Sequence, residues 1–381
     1  MRTAVAPLRR LASPLGGAEV PGWWLALHQR APRASLFTSA AWMQTWLEVY
    51  GELFGGEWVR WERDGEVVAG CLLLRGTLRR RGLLRLRAVF VNATGETTER
   101  TPLAEFNDVL CLPGEEDAVA LDFARLLGEE PWSCVFLSGY EGGGVLDTLA
   151  RTLPSAASSH EVRPAPFVDL AALPEGRFED SLGGSTRSQV RRSRRGYEER
   201  SGPVRLEFAR TEAEAGEFLD GLARLHNARW RARGMQGSFE SDRVLRFHRR
   251  LVGRLLPEGG VDLVRGRSGD DDVGYLLNYR DRGKICFFQS GFAYEEDSKL
   301  KPGLLTHCMA IEHYRGTAAR EYDFLAGDAR YKRSLAGGHR DLRWSVVYRD
   351  SAWMRLLFRL RDALRSFARQ GRAAGGQEQG E

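Results

Sequence analysis

Cysteine is scarce: five residues in a chain of 381, at positions 71, 111, 134, 286 and 308. Each stands alone in apolar surroundings. That excludes a patterned metal framework and a secreted disulfide scaffold, and leaves buried reduced thiols. Runs of 18 or more apolar residues are also missing, so no membrane-spanning helix is expected. The stretch from Met1 to Leu15 has neither a continuous apolar core nor a cleavage site, which gives the expectation of a cytoplasmic protein without a signal peptide. Three enzyme signatures are absent: the Walker loop, H-E-x-x-H and G-x-S-x-G. The seven histidines are scattered, and His307 and His313 lie six residues apart on different sides of one helix, so no metal site is expected. Gly142-Gly143-Gly144 follows a strand but lacks the G-x-G-x-x-G spacing, and reads as a loose strand-to-helix turn.

What remains is a soluble globular composition, 43% apolar and 28% charged, long enough for two domains. The net charge is only +5, yet the positive residues are clumped and almost all are arginine. Residues 75–87 carry six arginines and no acid, residues 187–200 six against two glutamates, and residues 355–372 six against one aspartate. Each clump is either a solvated face or a surface for an anionic partner: coenzyme phosphates, a nucleotide-linked substrate, tRNA or membrane headgroups.

Periodicity predicts a helix over 39–50, capped by Ser39, with Trp42, Trp46 and Tyr50 recurring on one face. Two strands joined by an Asp64-Gly65 hairpin follow, then a strand over 83–91, a polar loop over 92–106, a helix over 115–127, a strand over 132–137 and a helix over 145–153. The Ala-, Ser- and Pro-rich stretch from Pro154 to Pro166 is expected to be a domain boundary. Beyond it come a basic helix over 181–202, a strand over 204–209, and amphipathic helices over 212–231 and 241–256. Three consecutive strands (261–265, 273–279, 284–289) lead through a loop to a helix over 302–314, opened by Pro302-Gly303 and stopped near Gly316. Strands over 321–326 and 343–348 close the pattern. This order gives a mixed sheet with a crossover helix in its middle. Its partial recurrence before residue 154 suggests an internal duplication. The expected division is 1–165, 166–350 and a basic amphipathic tail over 351–381.

Two places gather chemistry. A strand ends at Gln289-Ser290-Gly291-Phe292 and a helix begins at Lys301-Pro302-Gly303. Free backbone N–H groups and the helix dipole there favour a pyrophosphate, with Lys299 and Lys301 adding cations and Gly303 allowing close approach. The alternative is that Pro302-Gly303 only starts a helix. The second place is Tyr322 to Lys332. Asp323 interrupts an apolar strand, and Tyr331 and Lys332 follow a short glycine-containing loop. A buried carboxylate there is either functional or held in an internal ion pair.

Phe288-Gln289-Ser290-Gly291-Phe292, Lys301-Pro302-Gly303-Leu304-Leu305 and Tyr322-Asp323-Phe324-Leu325-x-Gly327-x-x-x-Tyr331-Lys332, together with Leu225-His226-Asn227-Ala228-Arg229-Trp230 and the basic run from Ser185 to Ser193, resemble the GNAT-superfamily acetyltransferases of cellulose and other exopolysaccharide gene clusters. Those are themselves similar to Fem-type peptidoglycan aminoacyltransferases. The resemblance covers about 37–348 and is strongest over 181–332. It implies an α/β (α+β) fold of two tandem GNAT-like mixed-sheet domains, the first without a coenzyme site. It further implies acyl transfer from acetyl-CoA or another acyl-CoA, without metal, to an amine or hydroxyl on a small molecule, sugar or envelope precursor. Ser298 to Gly303 departs from the usual Gln/Arg-x-x-Gly-x-Gly/Ala phosphate signature. The expected coenzyme contacts are Gln289, Ser290, Gly291, Lys299, Lys301, Gly303 and Leu304. The expected catalytic groups are Asp323 or His226 as base, Tyr331 as acid to the leaving thiolate, and Lys332 for an anionic substrate. The alternatives are a Fem-like transferase using aminoacyl-tRNA, in which the arginines of 187–195 contact RNA, and a non-catalytic binding module. DNA is not expected as a partner. The tail over 351–369 is expected either to pack on its own domain or to rest on a membrane or partner surface.

Overall fold

The computed structural model describes residues 6–80, 84–92 and 101–359. Among the described residues one thirteen-stranded mixed sheet forms. The N-terminal half contributes β1 (Arg9–Pro14), β2 (Gly55–Arg63), β3 (Glu66–Arg80), β4 (Leu84–Val91), the short β5 (Leu110–Cys111) and β6 (Cys134–Tyr140). Its helices are α1 (Gly22–Arg30), α2 (Ala40–Tyr50), α3 (Glu116–Glu129) and α4 (Val145–Thr152). After the long β7 (Ser155–Asp169) come α5 (Phe178–Ser181), α6 (Gly184–Ser201), β8 (Val204–Phe208), α7 (Glu212–Arg231), α8 (Asp242–Leu255), β9 (Val261–Ser268), β10 (Asp271–Asp281) and β11 (Lys284–Phe292). The chain closes with α9 (Pro302–Arg315), β12 (Glu321–Asp323), α10 (Arg330–Leu335) and β13 (Gly338–Arg349).

Strand order is β1-β2-β3-β4-β6-β13-β7-β12-β11-β10-β9-β8, and β5 pairs β3 off this path. The duplication is visible in that order. β4 reaches β6 through α3 and pairs with it in parallel. β11 likewise reaches β12 through α9 and pairs with it in parallel. The two halves then exchange their last strands. β7, which leaves the first half, lies against β12 of the second, while β13, which leaves the second half, lies against β6 of the first. β7 and β13 pair with each other along nearly their whole length. The stretch expected to hold the domain boundary is therefore a strand. β13 pairs it along nearly its whole length on one side, while β12 pairs only Phe167–Asp169 on the other, so a composition that suggests a loop serves a strand.

The aromatic repeat on α2 does what its spacing predicts. Trp42, Trp46 and Tyr50 are fully buried. Trp42 meets Phe247 of α8 at 4.9 Å and Phe288 of β11 at 5.9 Å, so one layer of core joins the two halves. On that face of the second half lie α7 and α8; α6 and α9 cover the other. Two sequence expectations shift at the end of the chain. β12 stops at Asp323, because Leu325 takes a left-handed backbone (φ 56°) that ends the ladder. β13 is longer than expected, since β7 pairs it. The helix that opens the tail packs Met354 and Phe358 inward, the latter on Tyr348, and leaves Trp353 and Leu356 exposed. Most of the expected amphipathic stripe, from Leu360 to Arg369, lies outside the described residues. Among the described residues no helix is long and apolar enough to cross a membrane.

Candidate active site

Parallel strands β11 and β12 pair only from Lys284/Glu321 to Cys286/Asp323 and then part. A cavity of about 570 Å³ opens where they separate. Its walls are Phe287, Phe288 and Gln289 from β11; Phe324, Leu325 and Ala326 beyond β12; Tyr331 and Lys332 from α10; Phe239, Val244 and His248 from the α7–α8 side; and Thr101, Pro102, Leu103 and Glu105 from the first half. A strand edge without a partner in a half-apolar cavity suits an extended ligand with an amide backbone.

The loop beyond β12 is held by a closed set of hydrogen bonds. Lys332 is buried, and its ammonium donates to the carbonyls of Phe324 (2.7 Å), Leu325 (3.2 Å) and Ala326 (2.9 Å). Burial lowers its pKa, while Glu105 and Asp323 oppose that shift. Three acceptors around one nitrogen require three N–H donors, which only the charged form has. Asp323 accepts from the Leu325 N–H at 2.7 Å and thereby fixes the left-handed residue. Glu105 accepts from the Ala326 N–H at 2.5 Å. Gly327 (φ 131°) passes so near that a Cβ there would stand 3.3 Å from the Lys332 Nζ.

The expected site residues therefore fall into separate groups. Gln289, Tyr331 and Lys332 meet at the cavity. Asp323 lies behind it, fully buried, with Arg340 at 3.4 Å. Burial outweighs the guanidinium and pushes its carboxyl up to about 7. His226 sits with Ser290 and Gly291 at a smaller cleft of about 150 Å³, and Gln289 lines both spaces. Its Nδ1–H donates to the Ser290 carbonyl (3.1 Å), which makes Nε2 the lone-pair side of the neutral ring. Gly291 serves packing, since a Cβ there would meet the Leu222 carbonyl at 2.3 Å.

Lys299, Lys301, Gly303 and Leu304 cluster at the start of α9, outside both spaces. Leu304 is core, and a Cβ at Gly303 would stand 2.9 Å from the Phe292 ring, so this glycine makes room for that ring. The Lys301 N–H is taken by Ser193 Oγ at 2.8 Å.

Two cavity residues escape the sequence reading. Glu105 belongs to a stretch expected to be a polar loop; its only signal is one acid between Ala104 and Phe106. His248 occupies the apolar stripe of α8, four residues after Val244, which is the signal available for it. Its Nδ1 lies 2.8 Å from the Tyr279 hydroxyl, and burial lowers its pKa to about 3, so it is neutral at ordinary pH.

The equivalent opening in the first half is filled by the chain itself. β4 and β6 part after Phe90/Phe136. Asn107 enters there, donating to the carbonyls of Val91 and Ser138 (both 3.2 Å) and, through its backbone, to Gly139 (3.0 Å). Gly144 leaves room for Asp108 to cap α4, with the Leu146 N–H 2.9 Å from its carboxylate. Helix α3, the counterpart of α9, carries Glu116 and Asp117 in its first turn, whereas α9 has no acid there.

Ionising Asp323 costs stability, because its folded pKa stands above the ordinary carboxyl value. The stabilisation is complete below about pH 4 and is lost as pH rises through about 7. Asp323→Asn is therefore expected to fold, and its melting temperature relative to wild type should improve steadily between those limits. A constant difference across the range would mean that Arg340 keeps the carboxylate ionised throughout.

A mixed α/β sheet in which two parallel strands part around a crossover helix occurs twice in the chain. Residues 184–333 match the family model described as acetyltransferase (GNAT) domain. No curated protein matches the sequence. Among solved structures, FemX is similar at 11% identity over 88% of this chain and 96% of its own, with a TM-score of 0.56. L-PGS from Bacillus licheniformis is similar at 11% identity over 92% and 97%, with a TM-score of 0.52. At such identities the likeness is one of fold.

Proposed function

We propose that the chain is an acyltransferase that takes an acyl group from acyl-CoA and passes it to an amine or hydroxyl, with the reaction in the second half only. The observation that carries this reading is the contrast between the halves: the gap between β11 and β12 opens on a cavity, while that between β4 and β6 is filled by Asn107. Charge at the crossover helices supports the same assignment. Lys299 and Lys301 precede α9, and carboxylates open α3, so an anionic coenzyme is favoured at the former and repelled at the latter.

In this reading the thioester lies along the free edge of β11, and the acceptor enters from the α7–α8 side. The acceptor's nitrogen or oxygen attacks the acyl carbon, the carbon–sulfur bond breaks, and the thiolate leaves. Tyr331 lines the cavity, and burial keeps its phenol protonated, which suits donation to that thiolate. Glu105 is the carboxylate in the cavity wall and takes the role of proton acceptor expected of Asp323 or His226. Burial raises its pKa, which strengthens it as a base. Lys332 positions the loop rather than binding substrate.

Thermal unfolding with acetyl-CoA, with charged tRNA and with neither tests the reading. Stabilisation by acetyl-CoA is expected, together with a loss of turnover by about one to two powers of ten in Tyr331→Phe at unchanged coenzyme affinity. Stabilisation by charged tRNA alone would replace acyl-CoA by an aminoacyl donor, the second reading favoured by the fold likeness to FemX. Stabilisation by neither would leave a binding module.

A further inference from the structure

The small cleft beside the main cavity has its own chemistry. Its wall is formed by the end of α7, with His226, Arg229, Trp230 and Arg233, closed by Tyr294 and the backbone of Ser290 and Gly291. The Arg229 guanidinium carbon lies over the Tyr294 ring, 4.1 Å from its centroid, and that of Arg233 lies over Trp230 at 5.9 Å. Among the described residues neither guanidinium is paired with a carboxylate, although Arg231 between them pairs with Glu240 at 3.6 Å. Stacking on an aromatic face fixes a guanidinium plane and leaves its N–H edge free, an arrangement suited to a planar or tetrahedral oxyanion. A further donor lacks a partner: the Arg229 Nε–H is buried without a hydrogen bond. A buried donor without a partner is costly, and an oxyanion in the cleft would satisfy it.

We infer that this cleft holds a phosphate group of the acceptor, so that the acceptor is a phosphorylated amine or alcohol; the inference rests on the acyltransferase reading above. The phosphate is assigned to the acceptor because the cleft belongs to the α7 face of the sheet, whereas α9, where the coenzyme phosphates are placed, covers the opposite face. Gln289 lines both spaces, so they are neighbours, and the inferred acceptor reaches from the cleft to the cavity. The two arginines then orient its reacting end toward the β11 edge.

Calorimetric titration of the full chain with sodium pyrophosphate at fixed ionic strength tests this. Saturable binding is expected, weakened roughly tenfold or more in Arg233→Ala and in Arg229→Ala, the scale of one charge-assisted contact. Saturating acetyl-CoA should leave that affinity unchanged. Arg233 is exposed, so its variant decides the matter even if Arg229→Ala loses its fold. No saturable binding, or equal binding in wild type and Arg233→Ala, would overturn the inference. Displacement of pyrophosphate by acetyl-CoA, with both variants weakened toward acetyl-CoA, would hand the cleft to the coenzyme and overturn it equally. Absence of any thermal shift with acetyl-CoA would instead count against the acyltransferase reading, and the pyrophosphate titration would still judge the cleft.

Discussion

Lys332→Met is expected to lower turnover by about two to three powers of ten and to lower the melting temperature by several degrees. The side chains are alike in length and differ in the ammonium. Removing that group leaves the carbonyls of Phe324, Leu325 and Ala326 converging on each other without a donor. Each unsatisfied buried acceptor costs about 1 kcal/mol or more, so a loss of about 3 kcal/mol is the natural scale. In a chain of this size that shifts the melting temperature by several degrees. The larger effect is on catalysis, because the carbonyl arrangement forms one wall of the cavity and sets the position of Tyr331, one residue away. A misplaced wall costs orders of magnitude in rate even where the fold survives. Lys332→Arg should not rescue either property, since a planar fork cannot aim three donors at one converging set of oxygens. Kinetics and thermal melts on both variants check this. Near-normal turnover in Lys332→Met would show that the loop is held well enough by Asp323, Glu105 and the backbone of β7.

Much of the second half was legible from the sequence, and for identifiable reasons. The helix over 212–231 has matching bounds because Thr211 and Glu214 form a capping box that fixes its start. The turn at Asp281-Arg282-Gly283 and the proline at the start of α9 gave local chemistry that no tertiary contact overrode. The short glycine-containing loop after Asp323 brought Tyr331 and Lys332 to notice, and the structure brings both to the cavity. Asp323 was visible as an anomaly, an acid in an apolar strand, but its position behind the wall depends on Leu325 leaving the ladder, which no local rule predicts for a leucine. Glu105 was hidden because its meaning is wholly non-local: it acts 221 residues away, on the Ala326 N–H. The exchange of β7 and β13 was hidden for a related reason. Periodicity describes one strand at a time, and β7 alternates small, polar and proline residues that acquire a ladder only when β13 arrives from the far end of the chain.

That exchange gives the second large effect. A fragment of residues 166–350, cut where composition alone would divide the domains, is expected not to fold. The cut removes Ser155 to Ala165 from β7, and with them the partners of Arg340 to Arg349 on β13. What is left of β7 pairs only Glu321 to Asp323 of β12 and the first two residues of β13. On its other side β13 also loses β6, so most of this strand stands bare on both edges, with a buried valine, Val347, exposed. The α2 layer is removed as well, uncovering Phe247, Tyr279 and Phe288, which Trp42 otherwise covers. Burial of side chains of this size is worth about 2 to 3 kcal/mol each, so the deficit exceeds the usual net stability of a domain. Circular dichroism melts should show no cooperative transition for 166–350, and the protein should be recovered as aggregate. A fragment of 154–359 retains the β7–β13 pair and should be more soluble, though still short of the α2 layer. Co-expression of 154–359 with 1–153 should restore a cooperative melt, because β6 and α2 then return as separate pieces. A sharp, reversible melt of 166–350 alone would show that the second half is an autonomous domain and that the exchanged strands are dispensable.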